Sequence, residues 1–176
     1  YRFLRHLGFT TEYIARMYRP WNHRVTVEMV DSALSSMFPN AKIVGDKYPD
    51  YIFHIDRLIN HNPLKFMVMY RDARDVASST LRKARTDWKD IYPFVDMINT
   101  AEKVAHRWNR SIELQEKYID NPKVLLVRYE DMILQPKDTM QRVGEWLGVD
   151  PDLFPIKSIQ DTSIGKYKGG LTADEL

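Results

Sequence analysis

Residues 65–79, KFMVMYRDARDVASS, restrict the folds open to this chain more than any other stretch. The first six form an apolar run behind Pro63, the pattern of a parallel strand covered on both faces. Polarity then switches within one residue. Arg71, Asp72, Arg74 and Asp75 follow, and Asp75 is placed to cap a helix starting at Val76. Open α/β sheets take their ligands at the carboxyl ends of strands, where Arg71 can fork onto an anion. Ser79, eight positions on and one turn into the helix, can offer a hydroxyl to the same anion. Strand end, basic turn and helix start together suggest a phosphate site, although α/β proteins without one use the same elements.

The remaining chain supports one α/β domain over residues 1–176 with one core, at 44% hydrophobic residues. Twenty-six basic and 24 acidic side chains leave a net charge of +2, too mixed a surface for a nucleic-acid binder. With no cysteine there is neither a disulfide framework nor a thiolate metal site, and no metal is expected. No apolar run approaches the roughly 20 residues that span a bilayer, and nothing in the first residues reads as a signal peptide. A soluble, cytoplasmic protein is the expectation. Tyr1 in place of an initiator Met leaves room for an upstream segment, including an anchor or a signal.

Taken in order, two short helices are expected before Pro20, and then a helix whose apolar positions 27, 30, 34, 37 and 38 share one face. A short strand at 42–45 follows, then the turn Asp46-Lys47-Tyr48-Pro49-Asp50 and a helix with Ile52, Ile55, Leu58 and Ile59 on one side. Beyond the organising stretch comes an irregular segment with Trp88, Tyr92 and Phe94. A long helix carries Ala101, Val104, Ala105, Trp108 and Ile112. Residues 123–128, KVLLVR, form another buried strand, and a helix over 137–147 stops at Gly148. An extended connection leads to SIGKYKGGL at 163–171, where Gly165, Lys166 and Lys168 stand together.

Three of these segments carry a resemblance. YRDARDVASS is similar to the signature with which sulfotransferases hold the 3′-phosphate of 3′-phosphoadenosine 5′-phosphosulfate (PAPS), an Arg at a strand end and a Ser eight residues later. GDKYPDY resembles the Lys-x-Pro turn of sulfotransferases that act on carbohydrates, and it precedes Arg71 by the family's interval, Lys47 lying 24 residues upstream. VRYEDM looks like the family's strand-end Tyr-Glu-Asp. The resemblance covers residues 42–176 and implies a three-layer fold like that of P-loop nucleotide hydrolases, with a central parallel sheet flanked by helices. It implies PAPS as donor and 3′-phosphoadenosine 5′-phosphate as product. It gives Lys47 the catalytic role beside the sulfuryl group, Arg71 and Ser79 the 3′-phosphate, and Tyr129 the adenine. SIGKYKGGL is similar to the family's C-terminal cofactor loop, which makes Gly165, Lys166 and Lys168 cofactor residues, with Gly165 allowing close backbone approach. The family's Arg-Lys-Gly triplet is replaced here by Gln160, Asp161 and Thr162.

The chief departure is at the N-terminus, where no Gly/Ser/Thr-rich turn after a strand is found to wrap the 5′-phosphosulfate. Gly8-Phe9-Thr10-Thr11 is too poor in glycine and basic residues, so the domain is expected to be N-terminally incomplete. Sulfuryl transfer runs in line through a loose transition state, and a general base takes the acceptor proton. Pro49 stands where a related turn has His, which leaves Glu12, Glu28 and His23 as open candidates. The acceptor is expected to be a hydroxyl of a carbohydrate or a small alcohol or phenol. Two other readings remain. One is a kinase, which would need G-x-x-x-x-G-K-[ST]; the other is a catalytically incomplete domain that binds nucleotide or a protein partner without turnover.

Overall fold

In the computed structural model, residues 27–90, 95–159 and 163–176 are described. The chain divides into two units, Tyr1–Lys47 and Tyr48–Leu176. In the first, helix α1 (Val27–Met37) sets Val30, Ala33, Leu34 and Met37 on its less exposed side and Asp31, Ser32, Ser35 and Ser36 towards water. That is the spacing of one helical face. Phe38 donates to the Leu34 carbonyl at 2.9 Å, and Pro39, which has no N–H, ends the ladder. Phe38 itself is largely exposed rather than part of the inner face. The expected strand at 42–45 does not form. Ile43 is 47% exposed and no described strand pairs with it, so nothing would satisfy its backbone groups as a ladder does. The short helices expected before Pro20 lie outside the described residues.

The second unit begins with a 3-10 turn (Pro49–His54) that runs into α2 (Ile55–Leu58). Strand β1 (Phe66–Tyr70) and helix α3 (Ala73–Arg85) follow, then α4 (Ala101–Lys117), β2 (Val124–Arg128), α5 (Tyr129–Leu134) and α6 (Pro136–Leu147). Two 3-10 turns lead to the one-turn helix α7 (Tyr167–Gly170). The two strands pair in parallel, from Phe66 opposite Val124 to Tyr70 opposite Arg128. Parallel neighbours require a long crossover, and α3 and α4 supply it. The described part is thus an α/β arrangement with a small parallel sheet. Among the described residues no helix is long and apolar enough to cross a membrane.

Two buried clusters hold these elements. Ala77, Leu81 and Ala84 on α3 meet Ile98 and Val104, while Ile55, Ile59, Leu114 and Val124 form the other cluster beside Phe66 and Val68. Helix α4 serves both, through Val104 near its start and Leu114 near its end. Its inner face differs slightly from the sequence expectation: Ala105 is exposed, and Leu114 and Gln115 are buried instead. Strand β1 departs further. Its sequence suggests cover on both faces, yet Phe66, Val68 and Tyr70 alternate with Met67 and Met69, which are about half exposed. Among the described residues the packed face is the one towards α2 and α4.

Helix α6 ends as its sequence requires, with Gly148 in the left-handed region at φ 76°. Gly144, one turn earlier, has a different role, because a Cβ there would stand 2.8 Å from Pro151 Cγ and 2.9 Å from the Val149 carbonyl oxygen. Alanine gains about 1 kcal/mol of helix propensity over glycine, whereas overpacking against backbone costs about 1 to 3 kcal/mol. The clash should win. Gly144→Ala is expected to lower the thermal midpoint, and a calorimetric scan with an unchanged or raised midpoint would show that residues 149–151 yield freely.

Candidate functional site

At the carboxyl end of β1 the chain enters α3 three residues earlier than the sequence suggests. Asp72, not Asp75, is the N-cap, and its Oδ1 accepts from the Arg74 N–H at 2.9 Å. Asp72 has the same short carboxylate as Asp75 and meets the end of the strand first. The earlier start moves Asp75 to the inner face of the first turn, where it is 1% exposed. The strand end is fastened from both sides. Glu130 Oε1, buried at the start of α5, accepts the Asp72 N–H at 3.0 Å, and the Trp108 indole on α4 donates to the Arg71 carbonyl at 3.0 Å. Glu130 Oε2 lies 3.2 Å from Arg128 Nε, an ion pair without hydrogen-bond alignment.

The Arg71 side chain is held by three groups. It donates to the Ser163 carbonyl, lies 3.3 Å from Asp75 Oδ2, and sits over the Tyr129 ring at 4.8 Å. Its Nε is buried and has no hydrogen-bond partner among the described residues. A buried N–H left open on a cation is a donor in want of an acceptor.

Beside it lies a cavity of about 270 Å³, lined by Arg71, Ser78, Ser79 and Arg82 from the strand end and α3 and by Ser163, Lys166, Gly169 and Gly170 from the C-terminal loop. The structure therefore brings together Arg71, Ser79 and Lys166, which are distant in sequence. Tyr129 reaches this group through its stack on Arg71 and does not line the cavity. Gly165 has φ 74°, in the left-handed region, and a Cβ there would meet no protein atom within 4 Å. At Gly170 the backbone lies close to α3, and a Cβ would fall 2.0 Å from Ser78 Oγ.

Lys168 is exposed and is not among the residues lining the cavity. Arg82 and Ser78 also line the cavity, although the Arg-to-Ser signature does not include them. Their signal lay in helical spacing, because positions 75, 78, 79 and 82 of α3 fall on one side at intervals of three and four. Lys47 is the last residue of the first unit, exposed, with its N–H donated to the Asp46 carboxylate at 2.7 Å. Glu12 and His23 lie outside the described residues, as do Tyr92, Phe94, the 160–162 triplet and the Glu28 side chain. Trp88, the remaining aromatic of that segment, packs against the α3 cluster. No group of acidic, His or Cys side chains that could hold a metal occurs among the described residues.

The donor set is cationic and hydroxylic, suited to a phosphate group. One flanking pair is electrostatically coupled: Arg74 forks onto Asp72 at 2.7 and 3.1 Å while lying over Tyr167 at 4.1 Å. That fork, aided by the cap bond and opposed by burial, holds the Asp72 carboxyl down at about 2.

Comparison with known proteins points to one family. The model of the sulfotransferase family matches residues 11–152. Protein-tyrosine sulfotransferase A of Caenorhabditis elegans is 25% identical over 158 residues, covering 76% of this chain and 38% of that protein. The chain thus spans well under half the length of this curated relative. No solved structure matches it.

Because the folded Asp72 carboxyl lies below its ordinary value of about 4, its ionised form stabilises the fold above that value. The contribution is lost as pH falls from about 4 through about 2. In a carbon-detected NMR titration the Asp72 carboxyl should show its midpoint near the lower end of that window. A midpoint near 4 would mean that the Arg74 fork is absent in solution.

Proposed function

The chain belongs to the sulfotransferase family, and on that premise we propose that it moves the sulfuryl group of PAPS to a hydroxyl acceptor. The domain is read as single, three-layered and similar to P-loop nucleotide hydrolases in its sheet. The observation that carries the proposal is the cavity at the end of β1, where Arg71, Arg82 and Lys166 converge with the hydroxyls of Ser78 and Ser79. A group with several acceptor oxygens and two negative charges suits three cations and two hydroxyls. The unpartnered Arg71 Nε supports the fit, since it lacks the acceptor that such a group would bring.

In this reading Arg71, Ser79 and Lys166 grip the 3′-phosphate, with Arg82 and Ser78 beside them. Tyr129, fixed under the Arg71 guanidinium, borders the adenine, Gly165 shapes the loop, and Lys168 supplies positive charge near the rim. When bound, PAPS supplies a sulfuryl group activated by its anhydride link to phosphate. The acceptor oxygen bonds to sulfur while the sulfur–oxygen bond to phosphate breaks. The acceptor proton leaves to a base, for which Glu12, Glu28 and His23 remain open, and Lys47 stabilises charge on the departing bridging oxygen.

The acceptor class is a hydroxyl. The Lys-x-Pro turn at Lys47 favours carbohydrate, and the name of the C. elegans relative adds protein tyrosine as a phenolic acceptor. Transfer of labelled sulfate from PAPS to a panel of sugars, phenols and tyrosine peptides distinguishes these. Nucleotide binding with no transfer to any acceptor would favour a domain that binds without turnover.

Arg71→Ala should weaken binding of adenosine 3′,5′-bisphosphate by about 1.5 to 3 kcal/mol, the scale of a charge-assisted bond to an anion. An unchanged dissociation constant would remove Arg71 from the site. Lys47→Ala should lower kcat with cofactor affinity largely kept, and a variant as fast as the parent would exclude Lys47 from the chemistry.

A further inference from the structure

Asp75 is among the most deeply buried side chains described, at 1% exposure, and the sulfuryl-transfer scheme above gives it no role. Its carboxylate is fully engaged. Oδ2 accepts the Gly165 N–H at 2.8 Å, and Oδ1 accepts the Tyr167 N–H at 3.0 Å. The same Oδ2 lies 3.3 Å from Arg71 Nη2. One side chain on α3 therefore holds a strand-end arginine and, ninety residues further along the chain, the backbone on both sides of Lys166.

We propose that Asp75 is a positioning residue that fixes Arg71 and Lys166 in one frame, so that both cations meet the same anion. This inference rests on the reading of the cavity as the 3′-phosphate site. The chemistry favours a carboxylate over any neutral group. Two backbone N–H groups donate to it and a guanidinium lies 3.3 Å away as an ion pair, and an ionised carboxylate meets all three without presenting a donor of its own. Burial strengthens each of these bonds and makes their loss costly. The alternation of donors matters as well. With residues 165 and 167 tied to Asp75, the residue between them is held at the cavity, where Lys166 is found. Gly165, at φ 74°, gives the backbone the turn that brings both N–H groups to one carboxylate.

Asp75→Asn keeps the size and one acceptor oxygen, but its NH₂ faces groups that also donate. Arg71 and the loop should then be uncoupled while the apolar core is untouched. The test is a double-variant cycle on the whole protein, with the dissociation constant of adenosine 3′,5′-bisphosphate read by calorimetry. Lys166→Ala should weaken binding about tenfold in the parent, the loss of one charged contact, and about twofold or less in the Asp75→Asn background. A side chain with a merely structural role would leave the Lys166 factor the same in both backgrounds. That equality would overturn the proposal while leaving the cofactor assignment standing. Absence of binding by the parent protein would overturn both.

Should Asp75→Asn not fold, as judged by circular dichroism, Gly165→Ala runs the same cycle. A Cβ there meets nothing within 4 Å, so the change strains only the backbone turn. A reduced Lys166 factor in that background supports the coupling, and an undiminished one rejects it.

Discussion

A parallel strand that stops inside a fold must hand its last peptide groups to partners that are not strands, and the site depends on how β1 does so. The carbonyl just beyond its last residue, at Arg71, takes the Trp108 indole N–H, and the next N–H, at Asp72, goes to the Glu130 carboxylate. Each partner comes from a different helix. A buried peptide group without a partner costs roughly 1 to 3 kcal/mol, so these two bonds determine where the strand can end and where Arg71 must point. Trp108 and Glu130 are therefore supports of the site, although neither lines the cavity.

From that fixed point the charges arrange themselves by burial. The sequence Arg71-Asp72-Ala73-Arg74-Asp75 alternates sign, yet its two acids have opposite fates. Asp72 is at the mouth of α3, caps it and keeps Arg74 on the surface. Asp75, one turn deeper, is enclosed and faces Arg71. Isolated burial would make such a carboxylate very costly, and it persists because two backbone N–H donors and the Arg71 charge converge on it. The C-terminal loop thus completes the burial of a charge that α3 carries inward, and α3 in turn gives that loop its place.

The Arg71–Ser79 interval was legible because it is local: one strand end and one helical turn set it. The α4 stripe and the stop of α6 at Gly148 were legible for the same reason, as periodicity and a left-handed cap act within a few residues. What escaped required distant knowledge. Whether residues 42–45 become a strand depends on a neighbour to pair with, and whether Met67 and Met69 are covered depends on what lies across the sheet. The Asp72 cap is accompanied by a bond no local pattern announces, Glu130, 58 residues away, accepting the Asp72 N–H. Lys166 and Lys168 look equivalent in SIGKYKGGL, and only the bonds from residues 165 and 167 to Asp75 distinguish them. Arg82 is a milder case. Its position on the Ser78–Ser79 side of α3 is readable from helical spacing once the cavity is known to run along that side.

Electrostatics then bear on what kind of anion the cavity suits. Three cationic side chains around about 270 Å³ would repel one another strongly if nothing opposed them. Asp75 cancels one charge from beneath, which leaves a site with two positive charges in excess. A carboxylate or sulfate monoester brings a single negative charge and would leave the site unbalanced. A phosphate monoester near neutral pH carries about one and a half to two, matching the excess, and its acceptor oxygens suit the forked Arg71 and the hydroxyls of Ser78 and Ser79. A phosphate monoester is therefore the anion that this cluster balances best.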